Sequence, residues 1–293
     1  MSLSINSLFS VHPRLRAKMH QAQYRRAVKD YFKNQQKHIE KSHYSKKTEC
    51  LLVVSRYMED LSWIDGINTP HVVFNKGPFI QGENYVPLPN CGREGHTILH
   101  FIISNYDNLP ERIIFSQGSP FEPAPNFILD ANNWKDHLDV PPLTQRYLKP
   151  RHNLLKHRDE FNSGIPNQTS KTYQLNRHKS IEYYLCELNG AFEVVSPTHY
   201  IDPGIKNLNF VKQHGSNSLS EFRNLIDLKD DRSRVFFSYA GIFSVSRNKV
   251  LNHPKSFYQN CIRVLLEDEE HGFLLERLWL TIFDFKPPKM VWQ

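Results

Sequence analysis

Between Cys50 and Gly118 the apolar positions come in short runs that end in polar residues. Leu51 to Asp60 (LLVVSRYMED) is an apolar run that stops in charge, and His71 to Gly77 (HVVFNKG) repeats that form. Gly92 to Pro110 carries Ile98, Leu99, Ile102 and Ile103 at helical spacing and ends at proline, which predicts a capped amphipathic helix. Glu111 to Gly118 (ERIIFSQG) reads as a third buried strand. Strands separated by crossovers, one of them a helix, predict a parallel α/β sheet. Ligands of such sheets sit beyond the carboxyl ends of the strands. The polar residues at those ends are Arg56, Glu59, Asp60, Asn75, Lys76, Gln117 and Gly118, a layout that fits a nucleotide-type ligand.

The rest of the chain is less regular. Residues 131–190 are polar, with Pro141-Pro142 and a run rich in Asn, Gln, Ser and Thr from Asn162 to Gln174. A stretch of that length reads as an excursion, either a flap over a site or a mobile loop. Ile181 to Pro197 reads as two strands meeting at Asn189-Gly190, a hairpin signal. A short helix is expected around Ser218 to Ile226. A single strand is expected over RVFFSYAGIFSVS (Arg234 to Ser246), then a helix from about Pro254 and another from Glu269 to Phe283. No internal repeat is visible.

With 293 residues, 39% of them hydrophobic and 12% aromatic, the chain can bury a sizeable core. It has no run of about 18 apolar residues, so no membrane-spanning helix is expected. SLFSVHP near the start is too short for a signal-peptide core. Cys50, Cys91, Cys186 and Cys261 form no CxxC pair and read as buried thiols in a reducing compartment. The expected location is the cytoplasm, including the inner face of a membrane.

Charge divides the chain in two. Residues 1–47 hold eleven Lys and Arg against Asp30 and Glu40, a net of 11 − 2 = +9. The remaining 246 residues hold 26 basic and 28 acidic side chains, a net of −2. A nucleic-acid enzyme would carry positive charge across its binding face, so nucleic acid is not an expected partner. Ala17 to Ile39 is free of helix breakers and carries an apolar stripe of Met19, Tyr24, Ala27, Tyr31 and Phe32. Two readings stand for this basic helical extension. It is an arm resting peripherally on an anionic membrane or a partner, or a solvated helix packed on the domain by its stripe. Residues 48–293 are expected to form one domain.

Three clusters carry candidate chemistry. Gly92-Arg93-Glu94-Gly95-His96 opens the predicted helix, where free N–H groups and the positive dipole end suit phosphate. Arg93 would add a bidentate donor. Alternatively Glu94 caps the helix, and His96 with His100 is a surface feature without a third metal ligand. In the second cluster, Tyr239 and Glu270 are candidate acceptor contacts, with Glu267 to Glu270 forming an acidic run ahead of the last helix. In the third, Glu276 stands among Phe273, Leu274, Leu275, Leu278 and Trp279. A carboxylate in an apolar helix is paired or has a raised pKa, and a raised pKa suits a general base. Seven residues separate Glu269 from Glu276, about two turns, which would set both on one face of a continuous helix. The plain structural alternative pairs Glu276 with an arginine such as Arg247 or Arg277.

VVSRYMEDLSWI, VVFNKG, LPNCGREGHTILHFIISNYDNLPERIIFSQG, GIFSVSRNKVLNHPKSFYQ and HGFLLERLW together resemble an uncharacterised, glycosyltransferase-like family of fungi and bacteria. The likeness covers residues 50–122 and 236–283. It implies a GT-A-like, Rossmann-like architecture: an α/β mixed sheet flanked by helices. It also implies transfer of a sugar from a nucleotide-sugar donor to a hydroxyl of a glycan or lipid-linked glycan, in polysaccharide biosynthesis. Members of that family often carry Gly-Asp-Pro-Phe-Asp where this chain has Gly118-Ser119-Pro120-Phe121-Glu122. GT-A enzymes hold Mn²⁺ or Mg²⁺ on an Asp-x-Asp near this point, because hard cations take carboxylate oxygens. Its absence argues against dependence on a divalent cation and leaves a metal site unassigned. Arg56, Asn75, Lys76, Arg93, Gln117 and Gly118 are then the expected donor contacts, with Glu276 and Glu269 as the expected catalytic carboxylates. The competing expectation is a non-catalytic carbohydrate- or nucleotide-binding protein on the same fold.

Overall fold

A computed structural model describes residues 13–39, 48–121, 124, 127–134, 170–174, 182–186, 198–201, 219–230, 235–237 and 241–284. Nine strands and eight α-helices are described. Their order is α1 (Pro13–Ile39), β1 (Cys50–Arg56), β2 (His71–Asn75), β3 (Tyr85–Pro87), α2 (Arg93–Asn105), β4 (Arg112–Gln117), α3 (Phe127–Asn132), β5 (Ser170–Gln174), β6 (Glu182–Cys186) and β7 (Thr198–Ile201). Then follow α4 (Leu219–Leu225), β8 (Val235–Phe237), β9 (Phe243–Ser246), α5 (Arg247–Leu251), α6 (Lys255–Glu267), α7 (His271–Glu276) and α8 (Trp279–Ile282).

The main sheet has the order β3-β2-β1-β4-β9. β1, β2, β3 and β4 are parallel and β9 is antiparallel to β4, so this is a mixed α/β sheet. β1 lies at its centre and is apolar at four successive positions because both faces are covered. Leu51 and Val53 face the larger core, with α2, α6, α7 and α8. Leu52 and Val54 face a smaller core with Phe127 and Ala131 of α3, and Trp63 packs against it. α2 carries the chain from the edge strand β3 across to β4, and it is buried without a break from Gly95 to Ile103. That helix, β1, β2 and β4 fall where the hydrophobic pattern predicts them, while β3 was not expected. β5-β6-β7-β8 form a second, antiparallel sheet.

Two expectations need correction. Arg234 to Ser246 is not one strand. Gly241 turns the backbone with φ +58°, and the apolar run divides into β8 and β9, which join different sheets. The hairpin expected at Asn189-Gly190 falls largely outside the described residues, and the described partner of β6 on that side is β7. Tyr184 stands opposite Tyr200 and Cys186 opposite Thr198, while residues 187–197 lie outside the described residues. The helix expected from Glu269 to Phe283 is two short helices, α7 and α8. Asp268 is extended before them (φ −140°, ψ 135°), and Arg277 and Leu278 separate them.

α1 docks on the domain. Tyr31 is fully buried, and Tyr24, Ala27 and Val28 pack around it on the larger core. The Tyr31 hydroxyl bonds His100 Nδ1 at 3.2 Å and its ring meets His96 edge-on at 4.3 Å. His96 and His100 are therefore core residues beneath α1, not the surface pair expected from their spacing. Met19 and Phe32 of the expected stripe remain 43% and 44% exposed.

Candidate functional site

The strand order 3-2-1-4 places a topological switch between β1 and β4, where the chain's progress reverses. Crevices form there, beyond the carboxyl ends of the strands. The polar residues expected at that edge are indeed gathered there, and most are tied to one another.

Arg56 ends β1. Its Nε donates to Glu59 O at 2.9 Å, and its Nη1 donates to Tyr57 O at 3.1 Å and Asn75 Oδ1 at 2.8 Å. Asn75 ends β2; its Oδ1 also accepts from Gly77 N and its Nδ2 donates to Pro78 O. These contacts brace the β1 and β2 loops together. Gly77 lies against the first of those loops: a Cβ there would be 1.4 Å from Tyr57 O. Gln117 donates from Nε2 to Ser119 O at 2.7 Å, and Gly118 O accepts from Trp63 Nε1 at 2.9 Å. Gly118 sits beneath Glu59, whose Oε2 accepts from the backbone N–H groups of Tyr57 and Met58.

The second layer joins β2 to α2. Lys76 is buried, and its ammonium donates to Cys91 O at 2.9 Å and to Arg93 O. Those carbonyls belong to a sharp turn in which Gly92 and Arg93 are both left-handed, with φ +57° and +50°. Such a conformation is strained for a residue with a Cβ and persists only where its surroundings enforce it. The Lys76 bonds supply part of that enforcement. The turn presents the Arg93 guanidinium outward, 4.0 Å over the Phe273 ring, with its stem on Gly272 of α7. Arg56, Asn75 and Lys76 are thus inner supports. Arg93 is the exposed cation, at a helix N-terminus whose first N–H groups have no intrahelical carbonyl.

Burial lowers the Lys76 pKa from 10.5 to about 8, with Glu94 and Cys91 opposing the shift and Arg93 adding to it. Between those values the unfolded chain holds a proton that the folded chain has lost, so this group makes stability rise with pH across that window. Wild type should therefore gain about 2 kcal/mol relative to Lys76→Met between about pH 7.5 and about pH 9.5. Urea unfolding of both proteins at the two pH values measures it. Parallel pH profiles would show that Lys76 keeps its proton throughout.

The expected catalytic pair is not brought together. Glu269 stands in the turn before α7 and pairs with His20 Nδ1 of α1 at 3.3 Å, while Glu276 closes α7. No continuous helix links them. Glu276 Oε2 lies 3.1 Å from Arg277 Nη1, which also donates to Phe273 O, so the arginine pairing offered as the structural alternative is present. The Glu270 backbone N–H donates to Asp268 Oδ1 at 2.9 Å. Tyr239 and Glu122 lie outside the described residues. Glu276→Gln is expected to lower stability by about 1–3 kcal/mol, less than a fully buried pair because its side chain is 20% exposed, and to leave any specific activity unchanged. Urea unfolding beside an activity assay separates the two effects. Among the described residues no group of three His, Cys, Asp or Glu is placed to hold a metal ion, and no helix is long and apolar enough to cross a membrane.

Gly77 and the Lys76 link to the turn at Gly92 and Arg93 were not expected in these roles. The signal for the first was a glycine directly after a strand; nothing in the sequence identifies the carbonyls that Lys76 binds.

A mixed sheet flanked by helices, with the start of α2 at the carboxyl edge of its parallel strands, defines an α/β protein. The chain belongs to the family of proteins of unknown function DUF3431, whose model matches residues 51–290. No curated protein and no solved structure matches it. α1 precedes the matched region.

Proposed function

We propose that the protein binds a nucleotide-sugar at the carboxyl edge of the main sheet and transfers its sugar to a hydroxyl of a glycan acceptor. The observation that carries this reading is Arg93, an exposed guanidinium held in a strained left-handed turn at the N-terminus of α2. A leaving diphosphate needs its developing charge neutralised by donors already in place. Arg93 and the first N–H groups of α2 would do so, with Lys76 holding the turn from beneath. The GT-A-like character belongs to this proposal, and the mixed sheet with parallel strands on the donor side supports it. In this reading Glu94, next to Arg93 and close enough to act on Lys76, would take the acceptor proton, a role first expected of Glu276 and Glu269.

The test is release of nucleoside diphosphate from nucleotide-sugars, with and without glycan acceptors. Release at any measurable rate that Arg93→Met abolishes supports transfer. Binding without release supports the second reading, a nucleotide-binding protein on this fold. That reading is favoured by the ties of Glu276 to Arg277 and of Glu269 to His20. Activity should fall only weakly in EDTA, since Gly118 to Glu122 offers one carboxylate, Glu122, where two are usual. Complete loss restored by Mn²⁺ would show a true metal site.

A further inference from the structure

We propose that α1 is a preformed dock for a bilayer surface carrying anionic lipids, with its cationic face turned away from the protein. The inference does not rest on the reaction proposed above.

Helical spacing of about 100° per residue separates two faces of α1. Tyr24, Ala27, Val28 and Tyr31 fall within an arc of about 100°, and these are the residues packed on the core. His20 lies on the same side, with its Nδ1 3.3 Å from Glu269 Oε2. Lys18, Arg25, Arg26, Lys29 and Lys33 fall within an opposite arc of about 100°, and all are exposed. They extend over about 22 Å of helix axis. No acid interrupts them, because Asp30 projects to the side. Met19 and Phe32 border this arc on its two edges, and both are large apolar side chains more than two-fifths exposed.

The arrangement distinguishes between occupants. A helix with an apolar docked face and five outward cations presents positive charge over a surface, not into a groove. Each Lys or Arg near an anionic bilayer strengthens attachment by roughly five-fold, and flanking apolar side chains add insertion into the headgroup region. Met19 and Phe32 serve that second contribution. Duplex nucleic acid would need cations on further elements, and the chain after residue 47 has a net charge of −2. Docking also sets the site near the membrane. The Tyr24 end of α1 lies beside Cys91, Asp268 and Glu269, close to the turn that carries Arg93.

The full chain should sediment with phosphatidylcholine vesicles containing about 30% phosphatidylserine at least roughly 30-fold more tightly than with pure phosphatidylcholine vesicles. Sodium chloride at about 0.5 M should remove most of that difference. Arg25→Glu with Lys29→Glu should weaken binding roughly 100-fold or more, while Lys229→Glu with Lys255→Glu, the same charge change elsewhere, should leave most of it. Met19→Ser with Phe32→Ser should weaken it about 10-fold, with the salt dependence kept. Circular dichroism and thermal melting confirm that each variant is folded. Equal binding to neutral vesicles, no binding, an unaffected Arg25/Lys29 variant, or tighter binding to duplex DNA or RNA at the same salt would overturn the proposal.

Discussion

Gly77→Ala should destabilise the protein by about 3 kcal/mol or more, or prevent folding. The added Cβ would lie 1.4 Å from Tyr57 O, and the obstacle is backbone rather than the end of a flexible side chain. Relief requires the loops after β1 and β2 to separate. That separation would break the Arg56–Asn75 bond at 2.8 Å and the Asn75–Gly77 bond at 3.2 Å. Gly82→Ala provides the contrast. Its Cβ would meet the Tyr85 ring, a side chain at the half-buried start of β3, and the expected loss is about 1 kcal/mol. Urea unfolding of the two variants measures the difference. Equal stability of both would show that the edge is not braced by this contact.

Arg93 should separate stability from binding. Arg93→Gly places the one residue that accepts φ +50° without a Cβ penalty, so folding should gain up to about 1 kcal/mol. The cation–π contact with Phe273 is lost in exchange, which trims the gain because exposed pairs of this kind contribute about 0.5–1 kcal/mol. Ligand binding should fall by roughly 30-fold or more in the same variant, since a charge-assisted bidentate donor is removed. A residue kept for structure alone would do the opposite, losing stability while binding stayed constant. Denaturant unfolding and titration with a nucleoside diphosphate read the two quantities separately.

β1, β2, α2 and β4 were legible because each has a boundary the chain cannot hide, whereas β3, three residues long, carried no such signal. β1 stops in charge, α2 opens with two polar glycine-flanked residues and ends before Pro110, and β4 follows directly. The carboxyl-edge residues were legible for the same reason, since they are what stands where apolar strands stop. What each side chain binds was not legible. Lys76 was expected to face a ligand, yet its partners are the carbonyls of Cys91 and Arg93, fifteen and seventeen residues away and brought close only by the turn at Gly92. The last helices failed for a different reason. Trp279, Leu280, Thr281 and Ile282 are all buried, so no polar face marks where one helix gives way to the next. The continuous apolar pattern from Phe273 to Phe283 then reads as one helix, which put Glu269 and Glu276 on a face that does not exist. Gly241 was passed over in the same way, inside an apolar run that belongs to two sheets.

The central claim is that Arg93 and the start of α2 receive the diphosphate of a nucleotide-sugar. Thermal melting of the wild-type chain and of Arg93→Met against UDP-, GDP- and dTDP-sugars tests it most directly. A ligand at about 100 times its dissociation constant adds about 2.7 kcal/mol to the folded state. For a chain of this size that is a rise of roughly 5–10 °C. The account predicts such a rise for at least one nucleotide class in wild type and its loss in Arg93→Met, with the variant's own melting temperature little changed. Equal rises in both proteins, or none with any nucleotide-sugar, would contradict it.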